Sequence, residues 1–182
     1  MHMIESELSP VTRAHDATGS SEFPGGEFLT VHIGAETYAF EILKVQEIRS
    51  FTEPTRIAGS GPGTLGVINL RGVIVPIVDS RMLLGVHAAH RQAAPVVVVL
   101  TFGHRTVGVL VDAVCEVVEF ARSDLRPAPC MGSDTAIDHV MGIVSLSDAS
   151  EGAGRLCIVT DVEKLVRSAL REREDISNPT LQ

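Results

Sequence analysis

Residues 66–79 have the sequence Gly66-Val67-Ile68-Asn69-Leu70-Arg71-Gly72-Val73-Ile74-Val75-Pro76-Ile77-Val78-Asp79. Val and Ile favour pleated backbone, and short apolar runs bounded by turn residues are typical of buried strands. Asn and Gly tolerate positive φ, so the four residues Asn69–Gly72 are predicted to form the turn of a β-hairpin. Pro76 has no N–H to donate, which predicts that its strand is an edge strand or carries a bulge.

Arg71 is the one charged residue of this turn, and three roles are open to it. In a plain hairpin its head group simply extends into water. In an interface its planar fork pairs with a partner. In a structural role it lies inward and satisfies buried carbonyl groups.

The composition excludes several classes of function. The 182 residues are 45% hydrophobic and 4% aromatic, which predicts a folded domain with an aliphatic core. The net charge of −8 argues against binding to nucleic acid or to anionic lipid, because both require a basic surface. The N-terminus carries acids where a signal peptide needs bases, and the apolar run Val96–Leu100 is too short to span a bilayer. A cytoplasmic protein without membrane insertion is expected.

The chain divides into a polar tail, a folded region and a polar end. Residues 1–26 are rich in Ser, Thr, Gly and Glu, and we expect them to be disordered. The folded domain is expected over 27–170, with a helix over 162–174 that Asp161 caps. Residues 175–182 are expected to be a flexible C-terminus.

The second half of the folded region repeats the first. Val97–Gly103 matches Phe28–Gly34, and Leu156–Asp161 matches Ile74–Asp79. Such a repeat indicates two copies of one unit of about five short strands, a size that closes into a small barrel. The sequence therefore predicts a mainly β protein with two barrel subdomains, at roughly 27–85 and 95–160, and short helices.

No motif in the sequence assembles a catalytic or metal site. The Gly-rich loop Gly59–Gly63 lacks the Gly-Lys-Ser/Thr of a phosphate-binding loop, and no Ser stands in a Gly-x-Ser-x-Gly setting. No further metal ligand lies near His87 and His90 in the sequence. No Cys-x-x-Cys pair is formed by the three cysteines, Cys115, Cys130 and Cys157, which indicates free thiols. We expect no catalytic residues, no metal and no cofactor. A binding module is favoured, and a small β-barrel enzyme is the remote alternative.

Five segments together resemble one protein family. They are Leu43–Arg49, Thr55–Ala58, Gly66–Asp79, Leu125–Pro129 and Asp161–Leu165. These segments are similar to those of the CheW-like family of bacterial chemotaxis coupling proteins, and the match runs from about Glu27 to Val166. The Asn-Leu-Arg-Gly-Val-Ile-Val-Pro-Ile-Val-Asp run is the most specific part of it.

The resemblance implies two five-stranded Src-homology-3-like barrels that share an apolar core. It implies a non-catalytic adaptor, monomeric when free, that joins the cytoplasmic tip of a chemoreceptor to the regulatory domain of the histidine kinase CheA in membrane-associated arrays. The same adaptor logic serving another kinase pathway, such as surface motility, is an alternative. The partner-binding positions that it implies are Val45, Glu47, Gly66, Val97 and Val98, together with the turn residues Asn69, Leu70, Arg71 and Gly72.

Overall fold

The structure is a computed structural model that describes residues 25–61, 63–86, 94–128, 138–146 and 154–171, without the side chains of residues 168 and 171. The expected N-terminal tail, apart from its last two residues, and the expected flexible C-terminus lie outside these ranges. The strands are β1 Gly26–Ile33, β2 Glu36–Glu41, β3 Val45–Ser50, β4 Thr64–Leu70, β5 Val73–Asp79, β6 Val96–Phe102, β7 Arg105–Val111, β8 Ala113–Phe120, β9 Val140–Leu146 and β10 Arg155–Thr160. The helices are α1 Ser80–Leu83 and α2 Val162–Arg171, with 3-10 turns at Ile42–Lys44 and Arg122–Asp124.

The ten strands form two five-stranded sheets, which confirms the expected mainly β fold. One sheet has the order β8-β1-β2-β10-β9, and the other has the order β3-β6-β7-β5-β4. Each strand of the first half has a counterpart five strands later, so β1 corresponds to β6 and β5 to β10. We call the two sheets the β1 barrel and the β6 barrel.

The sheets do not follow the division at 27–85 and 95–160 that the repeat suggested. The hairpin β1–β2 joins β8, β9 and β10 of the second half, while the hairpin β6–β7 joins β3, β4 and β5 of the first half. The two halves have therefore exchanged their first hairpins. The repeat in the sequence specifies the strands, but copies with the same hydrophobic alternation offer each hairpin two equivalent docking sites.

Each sheet is closed by one short bridge between its two edges. After β3 the chain continues to Thr55, whose N–H and C=O both pair with Val67 of β4 at 2.9 Å. After β8 it continues to Arg126, which pairs in the same way with Ile143 of β9. Because β3 and β4 are one pair of edges and β8 and β9 are the other, both sheets close into barrels.

Within the described ranges, the buried side chains form three clusters that correspond to this architecture. One fills the β1 barrel around Phe28, Phe120 and Val159, and one fills the β6 barrel around Val75 and Leu110. The third and largest lies between the barrels and includes Val31, Phe40, Val98, Val109 and, from α2, Val166. This third cluster is the apolar core that the two barrels share.

Pro76 lies in an interior strand, so the prediction of an edge strand was wrong. β5 pairs with β4 on one side and with β7 on the other, and the irregular register is in β4, between Thr64 and Gly66. The parallel pairing with β7 begins at Ile77, so Pro76 lies just outside the segment that needs a donor on that side.

Candidate interaction surface

The tip of the β4–β5 hairpin is tighter than the predicted four-residue turn. Leu70 pairs with Val73, so the turn itself consists of Arg71 and Gly72, with φ values of 51° and 90°. Two positive φ values in succession are typical of a type I′ turn, whose twist matches that of the flanking strands. Oδ1 of Asn69 accepts a hydrogen bond of 2.7 Å from the backbone N–H of Gly72. The side chain of Asn69 therefore stabilises the turn, while Arg71 adopts the left-handed conformation.

Arg71 projects from this tip and forms an ion pair with the neighbouring strand β3. Its Nη2 lies 2.9 Å from Oε2 of Glu47, and Nη1 of Arg49 lies 3.7 Å from Oε1 of the same carboxylate. The Arg71 side chain is 80% exposed, whereas the Glu47 side chain is only 20% exposed. The inward structural role for Arg71 is therefore excluded, and most of its guanidinium remains accessible to a partner.

The structure brings some of the predicted partner-binding residues together at this tip. Asn69, Arg71 and Gly72 are exposed, and Glu47 lies beside them through its ion pair with Arg71. Val45 is partly buried, because it packs against the cluster between the barrels.

Four of the predicted residues are buried. Leu70 and Val97 are 6% and 3% exposed in the core of the β6 barrel, and Val98 is fully buried between the barrels. Gly66 is buried where the chain at Thr55 crosses β4, and a Cβ atom there would lie 2.4 Å from the Thr55 carbonyl oxygen. Substitutions at these positions act first on the fold, and only through it on a partner.

Sequence reasoning missed the exposed apolar side chains around the hairpin. Val73 and Ile74 directly follow the turn and are 57% and 61% exposed, and Ile48, next to Glu47, is about half exposed. The signal was present in the sequence, since an unbroken apolar run in a strand with one solvent-facing side must expose some of its members. We define the hairpin-tip surface as Glu47, Ile48, Asn69, Arg71, Val73 and Ile74.

The counterpart positions in the second half are also exposed and apolar. Val117 of β8 corresponds to Ile48 and is 49% exposed, and Leu156 of β10 corresponds to Ile74 and is 62% exposed. The hairpin β9–β10 has no counterpart of the Arg71–Gly72 turn in the sequence, because residues 147–154 form a longer connection there. The short Arg71–Gly72 turn, with its cation, therefore distinguishes the first hairpin from the second.

The hairpin-tip surface combines exposed apolar side chains with the ion pair of Arg71 and Glu47. Among charged residues, arginine is the one enriched in protein interfaces. Among the described residues, no group of three or more His, Cys, Asp or Glu side chains is placed to hold a metal ion.

Neither helix in the described part of the chain has the length and apolar character of a membrane-spanning helix. Cys115 is an exposed free thiol and Cys157 a buried one, and Cys130 lies outside the described residues.

Comparisons with known proteins agree with this architecture. A model of the CheW-like domain matches residues 27–170. A chemotaxis protein CheW of Klebsiella aerogenes is 40% identical over 149 residues, which are 82% of this chain and 86% of that protein. One of Rhizobium meliloti is 32% identical over 81% of this chain and 92% of its own length.

A solved structure has the same fold. The crystal structure of the scaffolding protein TtCheW from Thermoanaerobacter tengcongensis superposes with a TM-score of 0.66 at 22% identity. The superposition covers 85% of this chain and 93% of that one. On these matches, this chain is a member of the CheW-like domain family.

Proposed function

We propose that this protein is the non-catalytic adaptor of a chemotaxis signalling complex, and that it joins the cytoplasmic tip of chemoreceptors to the regulatory domain of the histidine kinase CheA. Family membership and the relatives named chemotaxis protein CheW support this function. They favour chemotaxis over another kinase pathway. The adaptor acts in the cytoplasm, is monomeric when free, and is recruited to membrane-associated receptor arrays by the partners it binds.

The observation that carries the kinase contact is the preorganised charge at the hairpin-tip surface. Glu47 holds Arg71 at 2.9 Å, and the Arg71–Gly72 turn is itself held by Asn69. A side chain already held in place loses little conformational entropy on binding. The exposed Val73 and Ile74 beside it supply the apolar area that a charged pair alone lacks. We assign the kinase contact to this surface.

An adaptor needs a second surface, and we assign the receptor contact to the seam between the barrels. The counterpart residues Val45 and Val114 are both partly buried at the margin of the shared cluster. Val117, three residues beyond Val114, is half exposed. The edge strand β8 thus presents apolar side chains next to a rigid core, which suits an apolar helical segment of a receptor.

A reconstituted assay with receptor, kinase and adaptor tests the function. Wild-type protein should raise kinase activity in the presence of receptor. Arg71→Glu should abolish that activation, because it places two like charges beside each other and reverses the charge offered to the kinase. Arg71→Lys should retain part of the activity, since it keeps the charge and loses the planar fork. Arg122→Glu, a charge reversal at an exposed arginine outside both surfaces, is the matched control.

Two binding measurements separate the two surfaces. Arg71→Glu should weaken binding to the kinase regulatory domain and leave binding to a receptor fragment unchanged, whereas Val117→Asp should do the reverse. Full kinase activation by a folded Arg71→Glu variant would contradict the kinase assignment. Absence of binding by the wild-type protein to either partner would contradict the adaptor function itself.

A further inference from the structure

The β1–β2 turn binds a largely buried carboxylate. The backbone N–H of Gly34, at φ 66°, donates to Oδ2 of Asp112 at 2.7 Å. Arg81 of α1 binds the same oxygen through Nη2 at 2.6 Å, and both side chains are nearly buried, at 12% and 14% exposure. A backbone donor in a glycine turn and a nearby cation thus form a complete carboxylate site.

The β6–β7 turn is the counterpart of this site, but different residues surround it. Gly103 occupies the position of Gly34 with almost the same backbone conformation, φ 58°. Glu163 of α2 stands where α1 has Arg81, and Leu43, which follows β2, stands where the second half has Asp112 after β7. Leu43 has no carboxylate and its side chain is 88% exposed, so it cannot serve this turn as Asp112 serves the first.

An open groove lies between this second turn and α2. Its apolar walls include Phe102 and Val107 on the hairpin and Leu170 on the helix. Arg105 supplies a cation on the hairpin side, and Arg167 on the helix is already paired with Glu163 at 2.5 Å. The groove therefore offers cations and apolar side chains beside a turn whose counterpart binds a carboxylate.

The first half also shows how such a turn becomes covered. The chain that leaves α1 folds back over the β1–β2 turn, where Val86 lies so close that a Cβ atom on Gly34 would be 2.6 Å from its Cγ1. The chain that leaves α2 is residues 172–182, with the sequence Glu-Arg-Glu-Asp-Ile-Ser-Asn-Pro-Thr-Leu-Gln. It begins two residues after Leu170, which lines the groove, and it carries three acids followed by two apolar residues.

We propose that residues 172–182 dock in the groove between the β6–β7 turn and α2, with a carboxylate of Glu172, Glu174 or Asp175 bound by the Gly103 N–H and Arg105. The apolar residues Ile176 and Leu181 supply side chains for the apolar walls. Because the segment is tethered at the groove, its effective concentration there is in the millimolar range, so weak contacts suffice. The second half thereby acquires the carboxylate that Asp112 provides in the first.

Amide signals of the full chain test this proposal directly. The Gly103 amide proton should move upfield when the chain is ended after Arg171, and amide exchange over 102–107 should accelerate by about tenfold, as expected for the loss of a hydrogen bond to a charged group. The triple variant Glu172→Gln, Glu174→Gln, Asp175→Asn should reproduce both effects. The Gly34 amide is the internal control and should not change in either variant.

Two further arms separate the sources of the effect. A synthetic peptide of residues 172–182, added to the shortened chain, should restore the Gly103 shift, and Arg105→Glu should prevent that restoration. An unchanged Gly103 amide in the shortened chain overturns the proposal. An effect of shortening that the triple variant fails to reproduce overturns the carboxylate assignment. Restoration by any acidic peptide of scrambled sequence overturns the choice of this segment as the occupant.

Discussion

Arg71 Nη2 and Glu47 Oε2 lie 2.9 Å apart, although 24 positions separate the two residues in the sequence. The contact links the tip of the β4–β5 hairpin to the edge strand β3 within one barrel. The two side chains differ in exposure, 80% for Arg71 and 20% for Glu47. The carboxylate therefore lies against the barrel, while the guanidinium extends into solvent. The pair thus orients a largely exposed guanidinium at the surface, where it buries little area.

The stability of the fold should therefore depend little on this pair. Arg71→Ala and Glu47→Ala should each change the free energy of unfolding by less than about 1 kcal/mol, and their coupling energy in a double-mutant cycle should be about 0.2–1 kcal/mol, because Arg71 is largely exposed. Urea denaturation of the four proteins measures it. A coupling energy well above 2 kcal/mol would return Arg71 to a structural role.

Ile74 should contribute to kinase binding without contributing to folding. It is 61% exposed, so Ile74→Asp should leave the melting temperature within a few degrees of wild type and weaken binding to the kinase regulatory domain about tenfold or more, as for an apolar contact replaced by a desolvated charge. Leu156→Asp is the matched folding control, because its side chain is 62% exposed at the counterpart position. Kinase binding unchanged in the folded Ile74→Asp variant would remove Ile74 from the interface.

Gly66 and Gly142 should both be essential to barrel closure. A Cβ atom on Gly66 would lie 2.4 Å from the Thr55 carbonyl oxygen, and one on Gly142 would lie 2.6 Å from that of Arg126. Gly66 also has φ 147°, so Gly66→Ala should lower the free energy of unfolding by about 2–4 kcal/mol. Gly142→Ala should lower it by about 1–3 kcal/mol, and denaturant unfolding measures both.

Gly59→Ala is the control for backbone conformation alone. Gly59 has φ 76° with no atom within 4 Å of the added Cβ, so its substitution should cost only about 1 kcal/mol. If Gly59→Ala and Gly66→Ala lowered the free energy of unfolding equally, the close crossing of Thr55 over β4 would not be the reason for the glycine at position 66.

Stability should decline at alkaline pH, partly through Cys157. Burial raises the pKa of this thiol from its ordinary value of 9.0 to about 12. Between these values the unfolded chain loses the proton while the folded chain keeps it, so stability is complete below pH 9 and falls as pH rises toward 12. Cys157→Ala should flatten this decline in pH-dependent urea unfolding. It should not remove the decline entirely, because burial also raises the pKa of Tyr38. An equally steep decline in Cys157→Ala would contradict the assignment.

Local features of the structure were predictable because they depend on neighbouring residues. The short β-branched runs on either side of the turn placed β4 and β5. Asp79 caps α1 by accepting a hydrogen bond from the Arg81 N–H at 3.0 Å, as its residue type favours. The predicted turn Asn69–Gly72 lies at the right place, but it is two residues longer than the turn in the structure. Asn69 was expected to adopt the turn conformation, and it instead supports Gly72 through its side chain.

The candidate site was only partly predictable, because exposure is decided by packing at long range. Val97 and Val98 are apolar neighbours in one strand, and both are buried because the β6 barrel covers one face and the seam between the barrels covers the other. Val73 and Ile74 are equally apolar neighbours in another strand, yet both are exposed. Both pairs consist of β-branched aliphatic residues, so hydrophobicity alone does not distinguish the buried pair from the exposed pair.

By itself, the sequence determined the strands, the repeat, the Arg71 turn and the family to which the chain belongs, since these follow from periodicity and from residues adjacent in the chain. The tertiary structure alone decided that the first hairpins of the two halves are exchanged, that Glu47 pairs with Arg71, and that Gly66 serves barrel closure. The physical reason is that strand pairing and ion pairing depend on distances between segments remote in sequence. Two similar halves present equivalent partners for each hairpin, and only the packed core selects between them.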